Sequence, residues 1–172
     1  MEKIQLTGLL PEEITAFLPK GKEAYRGMQI FRWVHEKGAL SFDDMTNLSK
    51  SFREETKNLF IIGTMKLVTS KRSLDQSTDK FLWELDDGNR IESVIIRDED
   101  RVTACISSQV GCRMGCRFCR TGEMKFKRNL TSGEIVDQLI SMRRILKING
   151  ENITNIVFMG MGEPLENIEN VS

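Results

Sequence analysis

The sequence lacks several features, and each absence narrows the function. No run of about 18 consecutive apolar residues occurs, which excludes a helical membrane span. Net charge is zero, with 25 basic and 25 acidic residues, which argues against a simple polybasic nucleic-acid binder. The start, MEKIQLTGLLPEE, has no charged-then-apolar pattern, so it does not read as a secretory leader. A cytoplasmic location is the resulting expectation. There is one histidine, His35, expected on the surface of a helix and given no role. No internal repeat or low-complexity segment is visible, and no cysteine follows Cys119.

What is present is enough for a core and more than one structural style. Hydrophobic residues make up 40% of the 172, a length that suits one domain or a small domain plus part of another. The first sixty residues read as short helices. Pro11-Glu12-Glu13 is a helix start and Pro19 a stop. Tyr25 to Lys37 carries a helical apolar pattern closed by Gly38, and Ser41 and Ser49 are candidate caps. Lys20, Lys22, Arg26, Arg32 and Lys37 are read as ordinary surface charges. From Gly63 the pattern changes to strands, at Met65–Thr69, Lys80–Leu85 and Arg90–Ile96, with Asp86-Asp87-Gly88-Asn89 as a turn. Arg97 to Arg101 reads as a second turn, and Val102–Ser107 as a further strand. Thr131-Ser132-Gly133-Glu134 is a capping box. It opens a helix to about Lys147 that buries Ile135, Leu139, Met142 and Leu146 and ends at Asn149-Gly150. Ile153–Met159 reads as an apolar strand and Gly160-Met161-Gly162-Glu163-Pro164 as a tight turn. Strand, loop, helix, strand is a βα unit of a parallel layer, here with an open apolar edge.

Between that strand and that helix lies GCRMGCRFCRTGEM, residues 111–124. Cys112, Cys116 and Cys119 are spaced C-x-x-x-C-x-x-C, and Cys105 stands upstream. In a reducing compartment clustered cysteines favour metal or redox chemistry over disulfides. Two metal sites fit the residues. A structural zinc would take four thiolates, with Cys105 as the fourth. A cubane iron–sulfur cluster held by three would leave one iron open. Gly111 and Gly115 allow the backbone to wrap, and Phe118 is placed to shield the site from water. Arg113, Arg117, Arg120, Lys125, Lys127 and Arg128 stand against Glu123 alone in this stretch, a local patch suited to phosphate or RNA.

The wider string CISSQVGCRMGCRFCRTGEMKFKRNLTSGEIVDQL, followed by ITNIVFMGMGEPLEN, resembles the RlmN/Cfr family of radical S-adenosylmethionine adenosine methyltransferases. The matching region runs from about Glu92 to Asn167, and the helical start resembles the family's accessory RNA-binding domain. The resemblance implies an α/β fold: an N-terminal α+β region, then the start of a partial six-fold (β/α) radical barrel, truncated. The expected division is 1–62 for the helical accessory domain, 63–97 for a joining β-hairpin region, and 98–172 for an incomplete first βαβ portion.

It implies roles as well. Cys112, Cys116 and Cys119 match the ligands of a 4Fe–4S cluster whose open iron chelates S-adenosylmethionine. Gly162 and Glu163 match the turn at the amino end of that cofactor. Glu92 matches an acid–base glutamate, and Cys105 a second catalytic cysteine that helps release product from a covalent RNA adduct. The reaction implied is methylation of C2 of an adenosine in large-subunit ribosomal RNA, with transfer RNA as a second substrate. It runs by a relay in which one S-adenosylmethionine methylates a cysteine and a second supplies the radical. A small flavodoxin- or ferredoxin-type electron donor is the implied protein partner. The family's methyl-carrying cysteine lies near its C-terminus, so these 172 residues are expected to be the front of a longer enzyme or a truncated copy, inactive on RNA alone. The alternatives are the C8-methylating branch, or a non-catalytic RNA-binding module with a four-cysteine zinc.

Overall fold

A computed structural model describes residues 3–19 and 25–172. Lys20 and Lys22 of the basic set lie outside the described residues. The chain divides into two compact units, the first up to Thr64 and the second Met65–Ser172. Among the described residues no helix is long and apolar enough to cross a membrane.

The first unit is built from short helices, α1 (Pro11–Phe17), α2 (Tyr25–His35) and α3 (Lys50–Leu59). Local chemistry explains each start. Pro11 occupies the first turn of α1, and the Leu10 amide donates to Glu13 at 2.7 Å. Ser49 caps α3 by accepting from the Phe52 amide. Gly27 lies where α1 and α2 touch: a Cβ there would stand 2.2 Å from the Pro11 carbonyl oxygen. Leu6, Ile14, Ile30, Val34, Met45, Phe52 and Phe60 form the core.

The sequence pattern did not show that β1 (Ile4–Gln5) pairs in parallel with β2 (Phe60–Ile61), which joins the two ends of the unit. His35 also differs from expectation. It is half-buried, stacked on Phe31 at 4.1 Å, and burial pushes its pKa down. The described basic residues are engaged locally: Arg26 lies over Tyr25 and Phe52, Lys37 over Trp33, and Arg32 pairs with Glu36.

The second unit is a five-stranded mixed sheet with one long helix. Strands β3 (Lys66–Arg72), β4 (Thr78–Glu84), β5 (Arg90–Asp98) and β6 (Arg101–Cys105) run antiparallel in sequence order. The stretch 63–97 and the stretch 98–172 therefore share one sheet. Alternation decides the faces. Phe81 and Trp83 of β4 and Ile91 and Ile95 of β5 are buried, with Lys80, Leu82 and Glu92 on the opposite face. Gly88 turns the β4–β5 hairpin at φ 76°; Glu99, at φ 52°, turns the β5–β6 hairpin over fewer residues than expected.

Helix α4 (Ser132–Ile148) starts at the capping box, with the Glu134 amide donating to Thr131 and the Glu134 carboxylate accepting the Thr131 amide. Its Ile135, Met142 and Leu146 join the sheet's core with Ala104 and Ile106. The strand expected over Ile153–Met159 shortens to β9 (Asn155–Val157), parallel to β6. The ladder stops there because the chain bends into the Gly160 turn. Ile156 is 53% exposed on this edge strand.

Candidate functional site

The site is built where β6 and β9 end. The segment 106–110 continues from β6 and is wholly buried. The turn Gly160–Glu163 lies against it through a close set of hydrogen bonds. The Gly160 amide donates to the Ile106 carbonyl at 3.0 Å, and the Met161 carbonyl accepts from the Ser108 and Gln109 amides. The Met161 amide donates to Ser107 Oγ at 2.8 Å and the Glu163 amide to Gln109 Oε1 at 3.0 Å. The approach is so close that side chains are excluded. A Cβ on Gly160 would lie 2.7 Å from the Ile106 carbonyl, and one on Gly162 2.6 Å from Gln109 Cβ, with φ at +99°.

The same segment forms one wall of the cysteine loop's neck. β7 (Gln109–Val110) pairs antiparallel with β8 (Arg128–Asn129), and the Lys127 amide donates to the Val110 carbonyl. Gly111, φ 76°, lets the two sides meet: a Cβ would be 2.3 Å from the Lys125 carbonyl oxygen. Arg128 ties the neck to two other elements. It bonds Asp87 of the hairpin turn at 2.7 Å and Glu134 at the start of α4 at 2.8 Å. That guanidinium holds the Asp87 carboxyl well below the usual carboxylate range. Replacing Arg128 by Met is expected to cost about 1–3 kcal/mol, the range for a charged hydrogen-bonded group. A depressed folded-state pKa contributes stability above the ordinary carboxylate value of 3.8, lost as pH falls. The melting-temperature gap between the two proteins is therefore expected to narrow below about pH 4. A gap that widened in acid would contradict this.

From the neck the loop reaches outward. Cys112 and Cys119 are half-exposed, Cys116 is exposed, and all are free thiols. Gly115, φ 61°, turns the chain just before the second thiol, and the bond from the Cys119 amide to the Cys116 carbonyl turns it between the second and third. Gly122 packs on the Cys116 backbone, where a Cβ would come within 2.9 Å of its carbonyl oxygen. Phe118 does not cover the thiols as expected: it points to solvent, 94% exposed, because no apolar surface of the described residues faces it. Of the basic patch, Arg128 pairs with two carboxylates, Lys127 bonds Asn89, and Arg120 pairs with Glu123. Arg113 lies over Phe126, and Arg117 and Lys125 are exposed.

Does the donor set fit a metal group? Among the described residues no three His, Cys, Asp or Glu side chains converge on one point, as ligands of a single ion must. Cys105 in particular stands apart, buried in β6. A cubane makes a different demand, since each thiolate bonds its own iron at a separate corner. Cys112, Cys116 and Cys119 lie free on one exposed, glycine-turned loop.

Cys105 and Glu92 are neighbours on the sheet. Cys105 pairs with Val94, which shares a face with Glu92 two residues along β5. Burial pushes the Cys105 thiol up, so it is protonated at neutral pH. The Glu92 carboxylate is half-exposed and pairs with Lys80 at 2.8 Å. The sequence pattern missed the residues that hold these parts in place: Ser107, Gln109, Gln138 and Asn167, all buried. Asn167 donates to the Ser108 and Leu130 carbonyls, fastening the end of the turn to the loop's neck. For Ser107 and Gln109 the signal was a polar run, Ser107-Ser108-Gln109, directly after an apolar strand.

Residues 4–62 match the ribosomal RNA large subunit methyltransferase N-terminal domain. Over 99% of its length the chain is 49% identical to the dual-specificity RNA methyltransferase RlmN of Geotalea uraniireducens, covering 48% of that protein. It is 53% identical to a probable RlmN of Thermotoga neapolitana over 94% of this chain and 45% of that one. A radical SAM methyltransferase from Sphaerobacter thermophilus superposes on 97% of the chain, and on 49% of its own, with a TM-score of 0.90 and 39% identity. The chain spans about half the length of the relatives it matches. In sequence and in structure, this chain is a relative of the RlmN RNA methyltransferases over about half of their length.

Proposed function

We propose that the chain carries the cluster loop and the cofactor-contacting turn of a radical S-adenosylmethionine methyltransferase acting in the cytoplasm. Its substrate is C2 of an adenosine in large-subunit ribosomal RNA, with transfer RNA as a second substrate. One observation carries the proposal: segment 106–110 holds the three-thiol loop on one side and the Gly160–Glu163 turn on the other. Cys112, Cys116 and Cys119 would hold a 4Fe–4S cluster, and Gly162 and Glu163 would meet the amino end of S-adenosylmethionine. When bound, the cluster supplies the electron that cleaves the sulfonium to a radical, with a small flavodoxin- or ferredoxin-type protein as its source.

The chain's own residues do the rest. Cys105, held as a protonated thiol because burial disfavours its thiolate, would help release the product from the RNA adduct. Glu92, on the same face, exchanges the proton at the modified carbon once Lys80 is displaced from it. The methyl-carrying cysteine of the relay would be none of the four present here. The test is made in the source cells by changing Cys105 to Ala in their own gene. Nucleoside digests of large-subunit RNA should lose 2-methyladenosine by mass spectrometry. An unchanged amount would overturn the proposal, and 8-methyladenosine in the unaltered RNA would overturn the C2 assignment.

A further inference from the structure

We propose that Ser107 is a positioning residue whose hydroxyl sets the cofactor turn against the strand that carries Glu92. Ser107 is completely buried. Its Oγ donates to the Glu92 carbonyl at 2.6 Å and accepts from the Met161 amide at 2.8 Å. One hydroxyl thus joins β5, the segment after β6 and the turn after β9. Those are the three places that hold the acid–base glutamate, the loop's neck and the Gly162-Glu163 pair.

The hydroxyl is itself fixed from behind. Gln138, fully buried on α4, clamps the Ser107 backbone: Oε1 accepts the Ser107 amide at 2.9 Å and Nε2 donates to the Ser107 carbonyl at 2.9 Å. The same Oε1 accepts from Ser93 at 2.8 Å, and Ser93 accepts from Trp83. Every polar atom of the chain Trp83–Ser93–Gln138–Ser107 has a partner, as a buried network requires. The turn lies close on the open side as well: a Cβ at Gly160 would come 2.7 Å from Ser107 Oγ, so only glycine fits there. A core of this size could be filled with apolar groups. A polar hub placed where the site's elements meet fixes their spacing instead.

The inference rests on the reading that Gly162 and Glu163 contact S-adenosylmethionine. The test uses the reconstituted chain, reduced anaerobically, and follows the change in its electron paramagnetic resonance spectrum as S-adenosylmethionine is added. Ser107→Ala should keep its iron content yet bind S-adenosylmethionine at least about tenfold more weakly, the loss expected for an unsatisfied buried amide. Leu146→Ala, near the other end of α4, should lower the melting temperature as much or more while leaving binding unchanged, which separates positioning from stability. If Ser107→Ala does not fold, Ser107→Cys, with a weaker donor and acceptor at the same place, should show an intermediate loss. Unaltered binding in either folded variant would overturn the role of Ser107 alone. A spectrum of the unaltered chain that does not respond to S-adenosylmethionine would overturn the cofactor reading, and this inference with it.

Discussion

Replacing Cys116 by Ala is expected to abolish cluster formation, with bound iron falling from about four per chain to near zero. The reason is the lack of any substitute. The loop offers three thiols, and the remaining cysteine, Cys105, is locked into a ladder between Val94 and Val157. The single histidine belongs to the other unit. Two thiolates hold a cubane poorly, and metal binding here cannot be rescued by the fold. The fold in turn does not depend on Cys116, which is exposed and joins no core. The apo melting temperature should therefore change by less than about 0.5 kcal/mol in equivalent stability, the ordinary range for surface substitutions. Anaerobic reconstitution followed by iron and sulfide analysis checks the first part. Full iron in Cys116→Ala would remove that residue from the ligand set.

The second large effect is expected from Gly162→Ala. The new methyl would lie 2.6 Å from Gln109 Cβ and 2.8 Å from the Gln109 amide nitrogen. One of these atoms is backbone, so the turn itself must move. Overpacking of this kind costs about 1–3 kcal/mol. The positive φ of +99° adds a conformation that side chains rarely adopt. The turn has little room to yield, since Met161 and Glu163 on either side are held by Ser107, Ser108 and Gln109. The expected outcome is a chain that still takes up its iron but loses S-adenosylmethionine binding by about a hundredfold, the equivalent of roughly 3 kcal/mol. Retained binding would show that the turn does not face the cofactor.

Features set by neighbours in sequence were legible before the structure. Ser49 and Thr131 announce their helices because a cap acts on amides two or three residues away. Asp87-Gly88 announces its hairpin because the φ it needs is local. Gly111 and Gly115 announce the cysteine loop because the positive φ they adopt is a local need. What stayed hidden depends on distant partners. The β1–β2 pair joins residues 56 apart. Ser107 and Gln138 look like surface residues in the sequence. They are buried because their partners, 15 to 54 positions away, complete every hydrogen bond. Phe118 was misjudged because an aromatic side chain packs only where other apolar groups meet it, and none of the described residues does so. The His35 ring differs: it is half-buried by stacking on Phe31, one turn earlier on the same helix.

The central claim is that three thiols, without Cys105, hold an open-site cluster. Metal analysis of the unaltered chain and of Cys105→Ala, each reconstituted separately with iron and sulfide and with zinc, tests it most directly. About four irons and four sulfides per chain, the same in both proteins, is the predicted result. One tightly held zinc, lost in Cys105→Ala, with no cluster formed in either protein, would contradict it.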